Sequence, residues 1–145
     1  YYTAGLGLVV LKGSPIRKQA DLKGCRVGVS IGSTGALAAH KIQGIRVREF
    51  NSIVDAFLDL KNKGVDAVIN DKPTNEYFIE KQGRAYAEAY DGDFDVEYLG
   101  IAARLGDKEL QAKIDGGLAE IKASGEYAAI YKKWFGRAPS AEELK

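Results

Sequence analysis

Val27-Gly28-Val29-Ser30-Ile31-Gly32-Ser33-Thr34-Gly35 decides the reading of this chain: a β-branched run breaks into glycines and hydroxyls, and residues 36–41 then continue as a helix. The pattern is strand, turn and helix N-terminus. The first turn of a helix leaves backbone N–H groups without intrahelical acceptors and carries partial positive charge. Ser33, Thr34 and the bare backbone at Gly35 therefore have the chemistry to hold a carboxylate or a phosphate. The same residues also suit a plain helix cap, with the glycines making only the turn. Both readings stand on the local pattern.

Upstream, Asp21-Leu22-Lys23-Gly24 is a polar turn feeding a strand at residues 26–29, and Leu6-Gly7-Leu8-Val9-Val10-Leu11 is a continuous apolar run between Gly5 and Lys12-Gly13-Ser14-Pro15. Such a run reads as a strand buried on both faces. Downstream, Gly44 stops the first helix, and residues 47–50 make a short strand. Asn51-Ser52 caps a helix with Ile53, Ala56, Phe57 and Leu60 on one face, closed by Gly64. Residues 65–69 form the next strand, which runs directly into Asn70-Asp71-Lys72-Pro73; Pro73 suits the first turn of a helix carrying Tyr77, Phe78 and Ile79.

Strand and helix in alternation predict an α/β fold with a mainly parallel sheet, and in such sheets ligands sit beyond the carboxyl ends of the strands. Residues 30–35 and 70–73 then face one crevice. Residues 85–90 and 96–103 read as further strands joined by a turn at Asp91-Gly92-Asp93. Asp107 caps a helix with Leu110, Ile114, Leu118 and Ile121 on one face. Residues 125–135 form a last helix, stopped by Gly136 and Pro139, and residues 140–145 are expected to make one frayed turn.

Composition narrows the function. With 145 residues and 46% hydrophobic content, the chain has enough apolar material for one core or two small lobes. Acids and bases nearly cancel, at 20 against 21, and no basic block is interleaved with aromatics, so nucleic acid is not an expected partner. No apolar run is long enough to span a bilayer, and Tyr1-Tyr2-Thr3 has neither the basic start nor the apolar core of a signal peptide. Cys25 and His40 are each the only residue of their kind, so neither a zinc site nor a Cys–His catalytic pair is expected, and no cofactor is implied.

Asp71, just past a strand end, is either a cap for the following helix or a ligand group. A free amino acid is a zwitterion, needing N–H donors and hydroxyls for its carboxylate and a charged acceptor for its ammonium. Ser33, Thr34 and Gly35 have the groups for the first, and Asp71 for the second. Together with Asp21-Leu22-Lys23-Gly24, Val27-Gly28-Val29, Gly32-Ser33-Thr34-Gly35 and Asp66-Ala67-Val68-Ile69-Asn70-Asp71, the collinear segments Tyr98-Leu99-Gly100-Ile101-Ala102, Gly125-Glu126-Tyr127 and residues 130–136 make the chain resemble the family 3 extracellular solute-binding proteins, the polar-amino-acid receptors of ABC importers.

The resemblance implies a periplasmic-binding-protein-like lobe at residues 12–97. It further implies a hinge strand and remnant of the other lobe at 1–11, and a return hinge strand with C-terminal helices of that incomplete lobe at 98–145. It implies that Gly32, Ser33, Thr34 and Gly35 bind the ligand α-carboxylate, that Asp71 binds the α-ammonium, and that Ser30 faces the ligand side chain. Tyr77, Tyr98 and the aromatics of the last helix, Trp134 among them, are expected to pack.

The family's first half-lobe, which carries an arginine that clamps the carboxylate, would precede Tyr1. Its absence leaves apolar helix faces uncovered and implies a homo-oligomer. The expected function is binding of a polar L-amino acid, glutamine or a basic one first, outside the cytoplasm for an ABC transporter permease. A cyclic-acid dehydratase and a membrane-receptor sensor module are the alternatives of similar fold. No second acid or base groups with Asp71, which argues against catalysis.

Overall fold

The computed structural model describes the chain except residues 83, 84, 90–93, 95, 142 and 145. The expected turn at Asp91-Gly92-Asp93 lies outside the described residues. Two compact units emerge, Ala4–Val96 and Tyr1–Thr3 with Glu97–Lys145.

The larger unit is built on β1 (Tyr2–Leu11), β2 (Arg26–Ser30), β3 (Arg46–Phe50), β4 (Ala67–Asp71) and β5 (Tyr86–Ala89), in the order β3-β2-β4-β1-β5. Helix α1 (Thr34–Lys41) joins β2 to β3, α2 (Ile53–Lys61) joins β3 to β4, and α3 (Lys72–Gln82) follows β4 without an intervening residue. β2 is parallel to β3 and β4, while β1 is antiparallel to both its neighbours, β4 and β5. Of these five strands only β1 runs against the others. The boundaries between the units fall between Thr3 and Ala4 and between Val96 and Glu97.

Because β1 and β4 lie inside the sheet, their side chains alternate between two cores. Leu6, Leu8 and Val10 of β1, Val27 and Val29 of β2, and Ala67 and Ile69 of β4 pack with Ala36 and Ala39 of α1. On the other face Val9 and Val68 pack with Ala56, Phe57 and Leu60 of α2, with Tyr86, and with Phe78 of α3. Phe57 stacks on Phe78 at 4.0 Å between ring centroids, and the Tyr86 hydroxyl donates to the Phe57 carbonyl at 3.1 Å. Burying each such side chain contributes about 1.5–3 kcal/mol. Gly28 lets α2 lie close: a Cβ there would stand 3.3–3.4 Å from Phe50, Ala56 and Val65.

Charge ties the starts of β2 and β4. Asp66 accepts from the Arg26 backbone N–H (2.8 Å), Nε (3.1 Å) and Nη2 (2.8 Å), while Nη2 also reaches the Lys63 carbonyl. This supports the parallel register that sets Val27 beside Ala67. The Arg26 guanidinium holds the Asp66 carboxyl below the usual aspartate range.

In the smaller unit, β6 (Val96–Leu99) pairs with β1, and α4 (Lys108–Ala123) and α5 (Glu126–Phe135) follow. The expected strand over 96–103 stops at Leu99, and Tyr98, expected to pack, is 80% exposed. Asp107 caps α4 as anticipated, accepting from the Leu110 N–H at 3.0 Å. Tyr127 and Tyr131 are the buried aromatics of α5, but Trp134 is half exposed, which corrects its assignment to a core. The tail is tethered where a frayed turn was expected. Glu143 accepts from the Tyr131 hydroxyl (2.6 Å), Arg137 Nη2 (2.9 Å) and the Ser140 N–H (2.7 Å), and Arg137 chiefly pushes its carboxyl down to about 2.

A group whose pKa is lowered on folding stabilises the native state above its unfolded pKa, and that contribution is lost as pH falls through the folded value. Wild type should therefore lose melting temperature more steeply than Asp66→Asn on acidification below about pH 5, as read by calorimetry at a series of pH values. Parallel pH profiles for the two proteins would contradict the role given to the Arg26–Asp66 pair.

Candidate functional site

At the carboxyl end of β2, Gly32 adopts φ +69°, a left-handed conformation that favours glycine and turns the chain into α1. Ser33 is the N-cap. Its hydroxyl donates to the Ser30 carbonyl at 2.7 Å and accepts from the Ala36 N–H at 3.1 Å. A hydroxyl has one proton to give, so the capping reading of Ser33 holds in this structure and its donor is spent within the turn. Thr34 is exposed as the first residue of α1. Gly35, the second, is buried, and its amide lies in the turn that has no intrahelical acceptor.

Gly35 is where the two halves of the candidate site meet. A Cβ at this position would stand 3.0 Å from the Ile69 carbonyl oxygen, so only glycine allows the first turn of α1 to press on the end of β4. Asp71 has the same strand parity as Ala67 and Ile69, and those residues face the core that α1 covers. The carboxylate thus shares a sheet face with the α1 N-terminus. Ser30 has the parity of Gly28 and belongs to the opposite face.

The side chain of Asp71 makes no hydrogen bond or ion pair with any described residue, and it does not cap α3. Half-buried there, its carboxyl is pushed above the ordinary aspartate value by desolvation alone. The work of a cap is done by a pair that the sequence reading missed. Asn75, fully buried in α3, donates from Nδ2 to the Asn70 carbonyl at 3.0 Å, and its Oδ1 accepts from Asn70 Nδ2 at 3.2 Å. Two asparagines five apart in a polar stretch look like surface; the available signal was that Pro73 and the absence of a loop left the Asn70 carbonyl in need of a donor.

A separate cavity of about 760 Å³ opens at the other edge of the sheet, lined by Lys12, Cys25, Arg26, Lys63 and Asp66 among others. It shares no residue with 30–35 or Asp71. Arg26 and Asp66 are occupied with each other, and burial chiefly raises the Cys25 thiol pKa, so that edge carries no comparable free acid and no activated thiol. Among the described residues no group of His, Cys, Asp and Glu is placed to hold a metal ion.

An α/β lobe with a serine-capped helix N-terminus beside an acid that no described residue pairs, both at the carboxyl edge of the sheet, has the architecture of a periplasmic-binding-protein lobe. Residues 1–137 match the bacterial extracellular solute-binding proteins, family 3, and the chain belongs to that family. It is 33% identical over 145 residues to the L-arginine-binding protein of Pseudomonas aeruginosa, covering 93% of this chain and 56% of that protein. It is also 33% identical over 142 residues to the ABC transporter glutamine-binding protein GlnH of Bacillus subtilis, covering 97% of this chain and 51% of that one. Among solved structures, the arginine-, lysine-, histidine-binding protein ArtJ from Geobacillus stearothermophilus is similar with a TM-score of 0.82 and 38% identity, over 99% of this chain and 64% of that one. The chain spans about half the length of the curated relatives it matches.

Gly35→Ala should move the first turn of α1 away from β4, because the obstructing atom is a backbone oxygen that cannot rotate aside. The expected result is a set of amide shift changes centred on residues 33–36 and 69–71 in a two-dimensional NMR spectrum, with the rest of the sheet unchanged. Changes absent from 69–71 would show that the two segments are not in contact.

Proposed function

We propose that the chain carries the ammonium-binding half of a site for a polar or basic L-amino acid, within a receptor that serves an ABC importer outside the cytoplasmic membrane. The observation that carries this reading is Asp71: an acid at a strand end, half-buried, beside a helix N-terminus, and paired with none of the described residues. A carboxylate kept from water without a partner is costly, and a ligand ammonium is the group that relieves the cost. The first-turn amide of Gly35 and the exposed Thr34 supply the donors for the ligand carboxylate, with Gly32 and Ser33 shaping the turn and Ser30 at its rim. In this reading residues 12–97 are the ligand-binding lobe, and residues 1–11 and 98–145 belong to the hinge and the second lobe.

The relatives support the ligand class, being named for arginine, glutamine, histidine and cystine binding. Binding without catalysis is the better reading, because an acid paired with an ammonium stays ionised and does not exchange protons. Self-association is also part of the proposal. Leu110, Ile130 and Trp134 are each more than 40% exposed on α4 and α5, and α4 buries no residue. Size exclusion with light scattering should show concentration-dependent dimers; a monomer throughout would contradict this part.

Titration calorimetry with L-arginine and L-glutamine tests the central reading. Asp71→Ala should weaken binding by roughly 1.5–3 kcal/mol, the scale of a hydrogen bond to a charged group. The pH dependence follows from the direction of the Asp71 shift. Free protein takes up the proton as pH falls through the raised value, whereas the ammonium complex needs the carboxylate, so affinity should begin to fall above the ordinary aspartate range. Asp71→Asn should lack that dependence. Equal affinities for wild type and Asp71→Ala would overturn the assignment.

A further inference from the structure

We infer that Asn75 is a positioning residue for the amino-acid site, acting through Asn70 to hold Asp71 where a ligand ammonium meets it; this rests on the function proposed above. Three observations converge on it. Asp71 has no side-chain partner among the described residues, so only the backbone determines where its carboxylate stands. That backbone passes from β4 into α3 with no residue between them, Asp71 ending the strand and Lys72 opening the helix. At this junction the helix has no capping side chain in the usual place, and Asn75 reaches back from its second turn to the Asn70 carbonyl, one peptide before Asp71.

The return bond makes the pair a closed clasp. Asn70 Nδ2 donates to Asn75 Oδ1, and the Asn75 side chain has no exposed surface, so neither amide can be exchanged for water without opening the junction. The clasp lies on the sheet face opposite Asp71, since Asn70 and Asp71 are successive strand residues. It therefore cannot touch a ligand held on the Asp71 face. β1 is fitted to it: Gly7 stands directly across from Asn70, and a Cβ on Gly7 would come within 3.3 Å of Asn75 Nδ2, 3.1 Å of Lys72 Cγ and closer still to the Glu88 carboxylate. Leu6, the next partner along β1, is the residue paired with Asp71. A shift of the clasp would move the β4 end against β1 and carry the Asp71 carboxylate away from the α1 N-terminus.

The test separates positioning from mere stability by using two ligands that differ in one group. L-arginine and δ-guanidinovalerate, the same molecule without its α-ammonium, are titrated by NMR into wild type, Asn75→Leu and the double variant Asn70→Leu/Asn75→Leu, with melting temperatures recorded for each. The double variant removes the Asn70 side-chain amide together with its acceptor, so that the Asn70 carbonyl, which loses its donor in both variants, is the only polar group of the clasp left. Wild type is expected to prefer L-arginine, and that preference should fall about tenfold in both variants while affinity for δ-guanidinovalerate changes little. A folded variant that keeps the wild-type preference overturns the positioning role and leaves the proposed function intact. Equal loss for both ligands makes Asn75 a structural residue only. Wild type that fails to prefer L-arginine, or binds neither probe, overturns the proposed function and this inference with it.

Discussion

The site rests on the approach of Gly35 to the Ile69 carbonyl, a backbone oxygen that cannot rotate aside. A Cβ at Gly35 would stand 3.0 Å from that oxygen, so the lack of a side chain lets the α1 N-terminus lie this close to the β4 carboxyl end. Everything proposed for the site depends on that contact. It joins a helix turn whose Gly35 amide has no intrahelical acceptor to a strand end whose acid pairs with no described residue. Two groups of opposite preference, one for anions and one for cations, then share one edge of one sheet face. A zwitterion has both charges at the spacing of a single carbon, and few other small molecules do.

The sheet contributes rigidity to this arrangement. β4 is an inner strand between β2 and β1, with Val68 and Ile69 fully buried and feeding opposite cores. Its last two residues break the apolar pattern, and they do so differently. Asn70 is satisfied within the protein by Asn75, whereas the Asp71 carboxylate has no partner among the described residues. A buried polar pair with both bonds made is tolerated at little net cost, and it specifies one geometry at the junction. An acid with no bond made is a cost, and a fold keeps such a cost where a ligand can remove it.

Much of this was legible in the sequence. Apolar runs bounded by glycine and proline gave β1, β2 and β4, and the serine caps of α1 and α2 were readable from Ser33 and Ser52, both of which accept the expected backbone N–H. What the sequence did not reveal depended on contacts between distant residues. Ser33 offers a hydroxyl to either a ligand or the Ser30 carbonyl, and only the turn geometry directs it to the carbonyl. Asn75 went unremarked, because the need of the Asn70 carbonyl for a donor becomes plain only where β4 is seen to pass into α3 with no loop between them. Trp134 was expected to pack on the family resemblance, yet α5 turns Tyr127 and Tyr131 inward, and the tail folds back onto Tyr131 through Glu143, twelve residues on.

The central claim is that the Asp71 carboxylate is held for an ammonium. Its own titration, followed by carboxyl carbon NMR with and without saturating L-arginine, tests that claim most directly. The carboxyl should titrate above the ordinary aspartate range in the free protein and shift down on adding the ligand, as a cation stabilises the ionised form. A titration curve that stays where it was at saturation would contradict it.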